Sequence, residues 1–463
     1  MSSLAARKTA GLEQKLAALD AEFREWLSIT EEKREFEKHH TQLRALVGHL
    51  CGLRSGTIGL FERAKQSGIL AEARNLESLL LGIRRIWEFF RSKLVQRRDP
   101  AMRLFLQLAD ELAWVCYKPM LDVAGAMAHR EPPLVFLNGG LSPFALSRED
   151  AFFAEDVPGE ALAGRTWDPV LRHLPIPVIG VPWYQTAHLP DLLVVAHETG
   201  HTVEEDFGLH DSVLCKIEAQ LKGTSGAARS AHWQAWSKEI FADLWGCLTL
   251  GPAFAGSLMD FLAVGRNLIE NEVATDQGKY PTAHLRIQLC LEALRRKELD
   301  FDAEQAAVRR PWAEEFRASA MSDFDADVAA IVEAILGSEH EIGGKAWSLS
   351  KIPDLRFTPA DWSFAKEAVK EKLRGKTPES ANTAPRLVAA ARFLFEQDPA
   401  EYVRGNYGDA FSRHIEVIVR PGTRAGEAPA SEDEKERLSA TSRALGEAWF
   451  RDFAIWAGAH LRP

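Results

Sequence analysis

The chain has 463 residues, 46% hydrophobic and 26% charged, the proportions of a globular protein long enough for two or three domains. A net charge of −10 argues against a general nucleic-acid binder, whose footprint is basic. No apolar run approaches the ~20 residues that span a bilayer. The opening MSSLAARKTAGLEQKLAALDAEF becomes a charged amphipathic helix with neither an apolar signal core nor a cleavage site, so a cytoplasmic protein is expected. The five cysteines (Cys51, Cys116, Cys215, Cys247, Cys290) are scattered and never form a CxxC pair, which fits reduced, buried thiols.

From Leu4 to about His129 the apolar residues recur at helical spacing, as in Leu12, Leu16, Leu19, Phe23 and Leu27. A bundle of four or five helices over residues 1–131 is predicted. Its basic stretch Arg84, Arg85, Arg91, Lys93, Arg97, Arg98 reads as a solvated helix face before it reads as a docking site for an acidic partner. Near Pro132 the texture changes. PPLVFLNGG and PIPVIGVPW are short β-branched runs bounded by proline and glycine, hence two strands, with a segment of loop composition between them. Pro177 and Pro182 suit an edge strand, which can spare a donor.

The helix LPDLLVVAHETGHTVEEDFG follows, with Gly208 as its stop. HWQAWSKEIFADLWGCLTLG reads as a second buried helix ending at Gly251, and YPTAHLRIQLCLEALRR supplies a third. Beyond Leu299 the pattern is again helical, with starts signalled at Thr358-Pro359 and Ala384-Pro385. RPGTRAGEAPASEDEKE, residues 420–436, has the composition of an exposed loop, and Trp347, Trp362, Trp449 and Trp456 read as core. The expected architecture is mainly α with a small mixed β-sheet: a helical bundle (1–131), an α+β core (132–300) and a helical region (301–463).

The chemistry is concentrated in VVAHETGHTV. His197 and His201, four apart on a helix, present two imidazoles on one face and can fill two of zinc's four tetrahedral positions. Glu198 projects beside such a metal and can take a proton from a water the metal polarises. Val194, Thr199, Gly200, Thr202 and Val203 keep the motif uncharged, as burial requires. The longer metzincin motif is absent, because the chain has Glu204 and Phe207 where it requires glycine and histidine.

A third protein ligand is needed. In KEIFADLWG, Glu239 and Asp243 lie four apart on an apolar helix, where charged groups need partners. Glu239 can be the third ligand, and Asp243 can accept the second N–H of a ligating histidine and fix its tautomer. Glu204 and His210 are rival ligands. The competing reading is that these carboxylates only cap or pair within the core.

HExxH followed by ExxxD resembles the gluzincin branch of the zincin metallopeptidases. EIFAD is similar to the E-x-x-A-D helix of the Ste24/HtpX-type, CAAX-prenyl endopeptidase-like peptidases. In YPTAHLRI, Pro281, Arg286 and Ile287 match that family's later motif, while Tyr280 replaces its histidine. The resemblance covers about residues 175–290 and implies a zincin-like core between helical domains, with one zinc per chain. It implies that Tyr280 donates a hydrogen bond to the tetrahedral oxyanion, with His284 a competitor, and that Arg286 braces the site or the acidic helix.

Those relatives are usually membrane enzymes, and this chain has no membrane span, so a lipidated substrate is not carried over. The expectation is a zinc metallopeptidase acting on a peptide or protein substrate laid along an edge strand at PIPVIGVPW. The helical regions would restrict access, choose substrates or receive a regulatory partner. The alternatives are a catalytically silent interaction protein of zincin fold and a zinc hydrolase of a non-peptide amide.

Overall fold

Helix α1 (Leu4–Ile29) begins where the Ser3 hydroxyl accepts from the Ala6 N–H at 3.1 Å. In the computed structural model, the described residues are 3–418 except 32–33, 35, 126–130, 149–174, 224–225, 273–277, 317–321 and 382, together with isolated helical positions between 436 and 450. They are mostly helical and divide into two compact units. Trp449, Trp456 and nearly all of 420–436 lie outside them, as does most of the segment between the two expected strands.

The first unit takes in the described parts of Met1–Arg98, Ser147–Pro177 and Arg420–Pro463. There α1, α2 (His40–Ser67) and α3 (Ile69–Val95) pack through the expected apolar stripe, with Leu12, Leu16, Leu19 and Phe23 buried. Trp26, rather than Leu27, completes it. The basic stretch is largely turned onto its own unit. Arg84 pairs with Glu22 at 2.9 Å and Arg91 with Glu88 at 2.6 Å, while Lys93 and Arg97 are buried.

The second unit takes in Asp99–Leu146 and Val178–Val419. Helix α4 (Pro100–Ala124), capped by Asp99, belongs to it. Strands β1 (Leu134–Asn138) and β3 (Val178–Pro182) are the two expected ones, and they pair in parallel with Val135 opposite Ile179. The three-residue β2 (Phe144–Leu146), not foreseen from the sequence, adds antiparallel to β3, giving the order β1-β3-β2. Strand β3 is therefore central and wholly buried, not the edge strand expected. Its prolines sit just before it and at its last residue, where the loss of an N–H costs little.

The helices that follow carry the site. Helix α5 (Val194–Asp206) closes at Gly208: the Gly208 N–H donates to the Glu205 carbonyl at 3.0 Å and the Leu209 N–H to that of Glu204 at 2.8 Å. Helices α6 (His210–Leu221) and α7 (Ala227–Ala235) lead to α8 (Ser237–Leu262). The regular turns of α8 break where expected, at Gly251 (φ 57°), but the helix resumes beyond it. Pro252 has no N–H for the Leu248 carbonyl, and the Phe357 N–H takes that acceptor instead at 2.9 Å. The kink is thus satisfied by a distant segment, and a side chain at 251 would meet the Phe357 ring at 2.9 Å.

After α9 (Arg266–Glu270) and α10 (Ala283–Arg295) come α11 (Asp302–Glu315), α12 (Ser322–Asp325) and α13 (Val328–Val332). A hairpin, β4 (Glu339–Ile342) and β5 (Lys345–Ser348), then interrupts a region expected to be all helix. Helix α14 (Pro359–Leu373) starts with a Thr358–Asp361 capping box, and α15 (Ala384–Gln397) starts at its Ala-Pro signal. Helices α16 (Pro399–Arg404) and α17 (Tyr407–Ile418) close the unit. No described helix is long and apolar enough to cross a membrane. All five cysteines are free.

On β4, His340 points inward and is 1% exposed. Its Nε2–H donates to the Ile335 carbonyl at 3.0 Å, so Nδ1 accepts from the Ser212 hydroxyl at 2.9 Å. Burial holds its pKa below the ordinary value near 6.5 despite that carbonyl. The unfolded chain therefore binds the proton more readily, and stability falls as pH drops below about 6.5 towards the folded value. Thermal unfolding is expected at a lower midpoint at pH 5 than at pH 7.5, with a smaller difference in His340→Gln.

Candidate metal centre

Helices α5 and α8 meet at Gly200. A β-carbon there would lie 2.9 Å from the Ala242 α-carbon and 3.0 Å from the Trp245 β-carbon, so the backbones approach this closely only because the position is glycine. Glycine in a helix interior costs roughly 1 kcal/mol relative to alanine, which itself signals a packing reason. The crossing sets the His197/His201 face of α5 against the Glu239/Asp243 face of α8.

His197 Nε2 and His201 Nε2 are 3.2 Å apart. Glu239 Oε2 lies 3.4 Å from the first and Glu239 Oε1 3.7 Å from the second. A tetrahedral zinc shell with ligands at about 2.0–2.2 Å has edges of about 3.3–3.6 Å. The three side chains thus have the spacing and the donor types of such a shell. Among the described residues they are the one group of histidine, cysteine or carboxylate ligands that converges in this way, all ligand atoms lying within 4.8 Å of one another.

Behind His197 stands Asp243, completely buried. Its Oδ1 is 2.9 Å from His197 Nδ1, although the ring N–H is not squarely aimed at it. Arg286, on α10, forks onto both Asp243 oxygens at 2.7 and 2.8 Å. Contact of Nδ1 with a carboxylate leaves Nε2 as the nitrogen that faces the cluster.

Electrostatics follow from this layout. Burial opposes a charge on His197, but the adjacent Asp243 and Glu239 carboxylates outweigh it and raise its pKa to about 10. Burial and the charge on His197 push His201 down to about 4. Asp243 is brought to about 2 because Arg286 more than offsets its burial. Glu239 sits below its ordinary range despite burial, held there by the two histidines. Glu198, 4% exposed, is pushed up to about 7 by burial, with His197 pulling the other way.

The remaining residues sort clearly. Tyr280 lies just before α10 and is 59% exposed, with its ring 5.9 Å from the Arg286 guanidinium. The negative charge of Glu239 is the main cause raising its phenol pKa. His284, its competitor, turns away towards Trp312 Nε1 and Gln288, each at 3.5 Å. The rival ligands Glu204 and His210 pair with each other at 2.8 Å and do not belong to the cluster. Strand β2, not β3, is the outermost strand beside α5. No family model, curated protein or solved structure matches the chain.

Gly200→Ala should cost about 1–3 kcal/mol, because the added carbon meets backbone rather than a flexible side chain. It should also lower metal retention, whereas Gly11→Ala, inside α1 with open space around it, should do neither; denaturant unfolding and elemental analysis read both. Asp243→Asn strands a buried guanidinium and should cost about 3–5 kcal/mol. Arg286→Met added to that variant should restore much of the loss, which a double-mutant cycle measures.

Proposed function

We propose that the chain is a zinc-dependent metallopeptidase with a gluzincin-type site, in which His197, His201 and Glu239 hold one zinc ion. A zinc ion there supplies Lewis acidity to the scissile carbonyl and to the attacking water. Glu198 follows the first ligand directly and is buried beside the cluster, where it would take a proton from that water and return it to the leaving amine. Tyr280 donates a hydrogen bond to the oxyanion. Asp243 and Arg286 hold His197 in the orientation its role requires.

The observation that carries this reading is the convergence of ligand atoms from two separately recognisable motifs, HExxH and ExxxD, backed by a buried carboxylate behind the first histidine. Its resemblance to the zincins rests on those motifs. A peptide or protein substrate, met in the cytoplasm, suits the site because β2 has no strand on its outer side among the described residues. An extended backbone can add to such an edge.

Elemental analysis should find about one zinc per chain in the wild type and far less in Glu239→Ala. Glu198→Gln should keep its zinc and hydrolyse fluorescein-labelled casein at least about 10²-fold more slowly. Zinc absent from the wild type, or casein hydrolysis unchanged in Glu198→Gln, would sink the proposal.

A further inference from the structure

We propose that Glu272 is a positioning residue for Tyr280, latching the residues that set its ring beside Arg286. The inference takes its catalytic meaning from the metallopeptidase reading above, but the latch itself is a matter of geometry. Every other member of the candidate site stands on a helix: His197, Glu198 and His201 on α5, Glu239 and Asp243 on α8, Arg286 on α10. Tyr280 alone lies in residues 278–282, which are non-helical and lead into α10, and more than half of it faces solvent. Packing cannot fix a side chain so exposed, so its position depends on how its backbone is tied.

Three ties are present. Glu272 Oε2 accepts from the Ala283 N–H, the first residue of α10, at 2.7 Å. This charge-assisted bond spans eleven positions of sequence and sets a carboxylate at the positive end of the helix. Thr282 Oγ1 accepts from the Leu285 N–H, at a longer 3.4 Å. Trp236 Nε1–H donates to the Gly278 carbonyl at 3.1 Å. Trp236 is fully buried and lies three residues before Glu239, so this bond ties the segment to the ligand helix itself. Tyr280 is thus flanked by an anchor to α8 at 278 and one to Glu272 at 283, with the Asp243-fixed Arg286 guanidinium facing its ring. Of these ties Glu272 makes the shortest bond, and its loss unpins the start of α10 at residue 283, three positions after Tyr280.

The chain has five tyrosines, so protein labelled with 3-fluorotyrosine gives five fluorine resonances, and Tyr280→Phe identifies the one that matters. Glu272→Leu should move the Tyr280 resonance towards the position of the free amino acid and leave the other four in place, with zinc content unchanged. Casein hydrolysis should fall by about 10²-fold, the cost of a misplaced catalytic group. Glu272→Gln keeps an oxygen acceptor and should retain both the wild-type resonance and the rate. Trp236→Phe, which removes the other anchor, should move the same resonance. A Tyr280 resonance unmoved in Glu272→Leu, or moved as far in Glu272→Gln, overturns the proposal. So does a collapse of all five resonances in Glu272→Leu, which would make the residue merely structural. If the wild type leaves casein intact, the peptidase reading fails while the fluorine spectra still decide the latch.

Discussion

One buried carboxylate joins the three helices on which the candidate centre is built. Asp243, on α8, meets His197 of α5 and both arms of Arg286 from α10, with no solvent exposure. Desolvating such a trio costs several kcal/mol per ion, and well-packed apolar residues of similar volume would stabilise the same crossing as well or better. Stability alone does not account for it. What the carboxylate supplies is direction: it holds the His197 ring by Nδ1 and leaves Nε2 towards Glu239 and His201. The close passage at Gly200 serves the same end, since a wider crossing would carry the two ligand-bearing faces apart.

The parts of the site legible in the sequence are those that obey helix periodicity. His197 with His201, and Glu239 with Asp243, are each four apart on one helix, and local geometry fixes their common direction. That one pair would face the other is a tertiary fact, and chemistry, not spacing, predicted it: zinc wants a third ligand and buried carboxylates want partners. Tyr280 and His284, competitors for the oxyanion-donor role, are also four apart. The helix begins only at Ala283, so the two residues do not share a face, and His284 goes to Trp312. Glu204 was a fair rival by periodicity, one turn beyond His201 region of α5, but its partner is His210 after the helix end.

The fold was less legible where elements are short. Three residues of β2 carry no period, and their strand character exists only because β3 lies beside them. That strand displaces β3 from the edge, so prolines that suited an edge strand lie instead at the ends of a central one. The hairpin β4–β5 did carry a signal, alternating residues on either side of Gly343-Gly344, but it lies within long helical runs that dominate the pattern. Helix α4 shows the same amphipathic period as α1 to α3, and period alone does not say to which unit a helix belongs. The continuation of α8 beyond Gly251 depends on Phe357, more than a hundred residues away in sequence, which no local reading contains.

Below the polar trio the interface of α8 and α10 turns apolar within one helical turn. Cys247 and Cys290 lie four residues beyond Asp243 and Arg286 and are completely buried; the Cys290 thiol, hydrogen-bonded to Cys247 and desolvated, is held well above its ordinary range. Leu244, Leu248 and Leu294 continue that floor. A dry floor lowers the local dielectric, which strengthens each bond among His197, Asp243 and Arg286 and makes any unpaired member costly. Rigidity is therefore concentrated around the candidate ligands, on three helices locked by charge in an apolar setting. Tyr280 stands outside that setting, exposed, with its ring facing the Arg286 guanidinium and within the non-helical residues 278–282. The difference in how the two parts are held is a difference in solvent access: burial can fix the histidines and carboxylates of the cluster, while an exposed phenol must be fixed through its backbone.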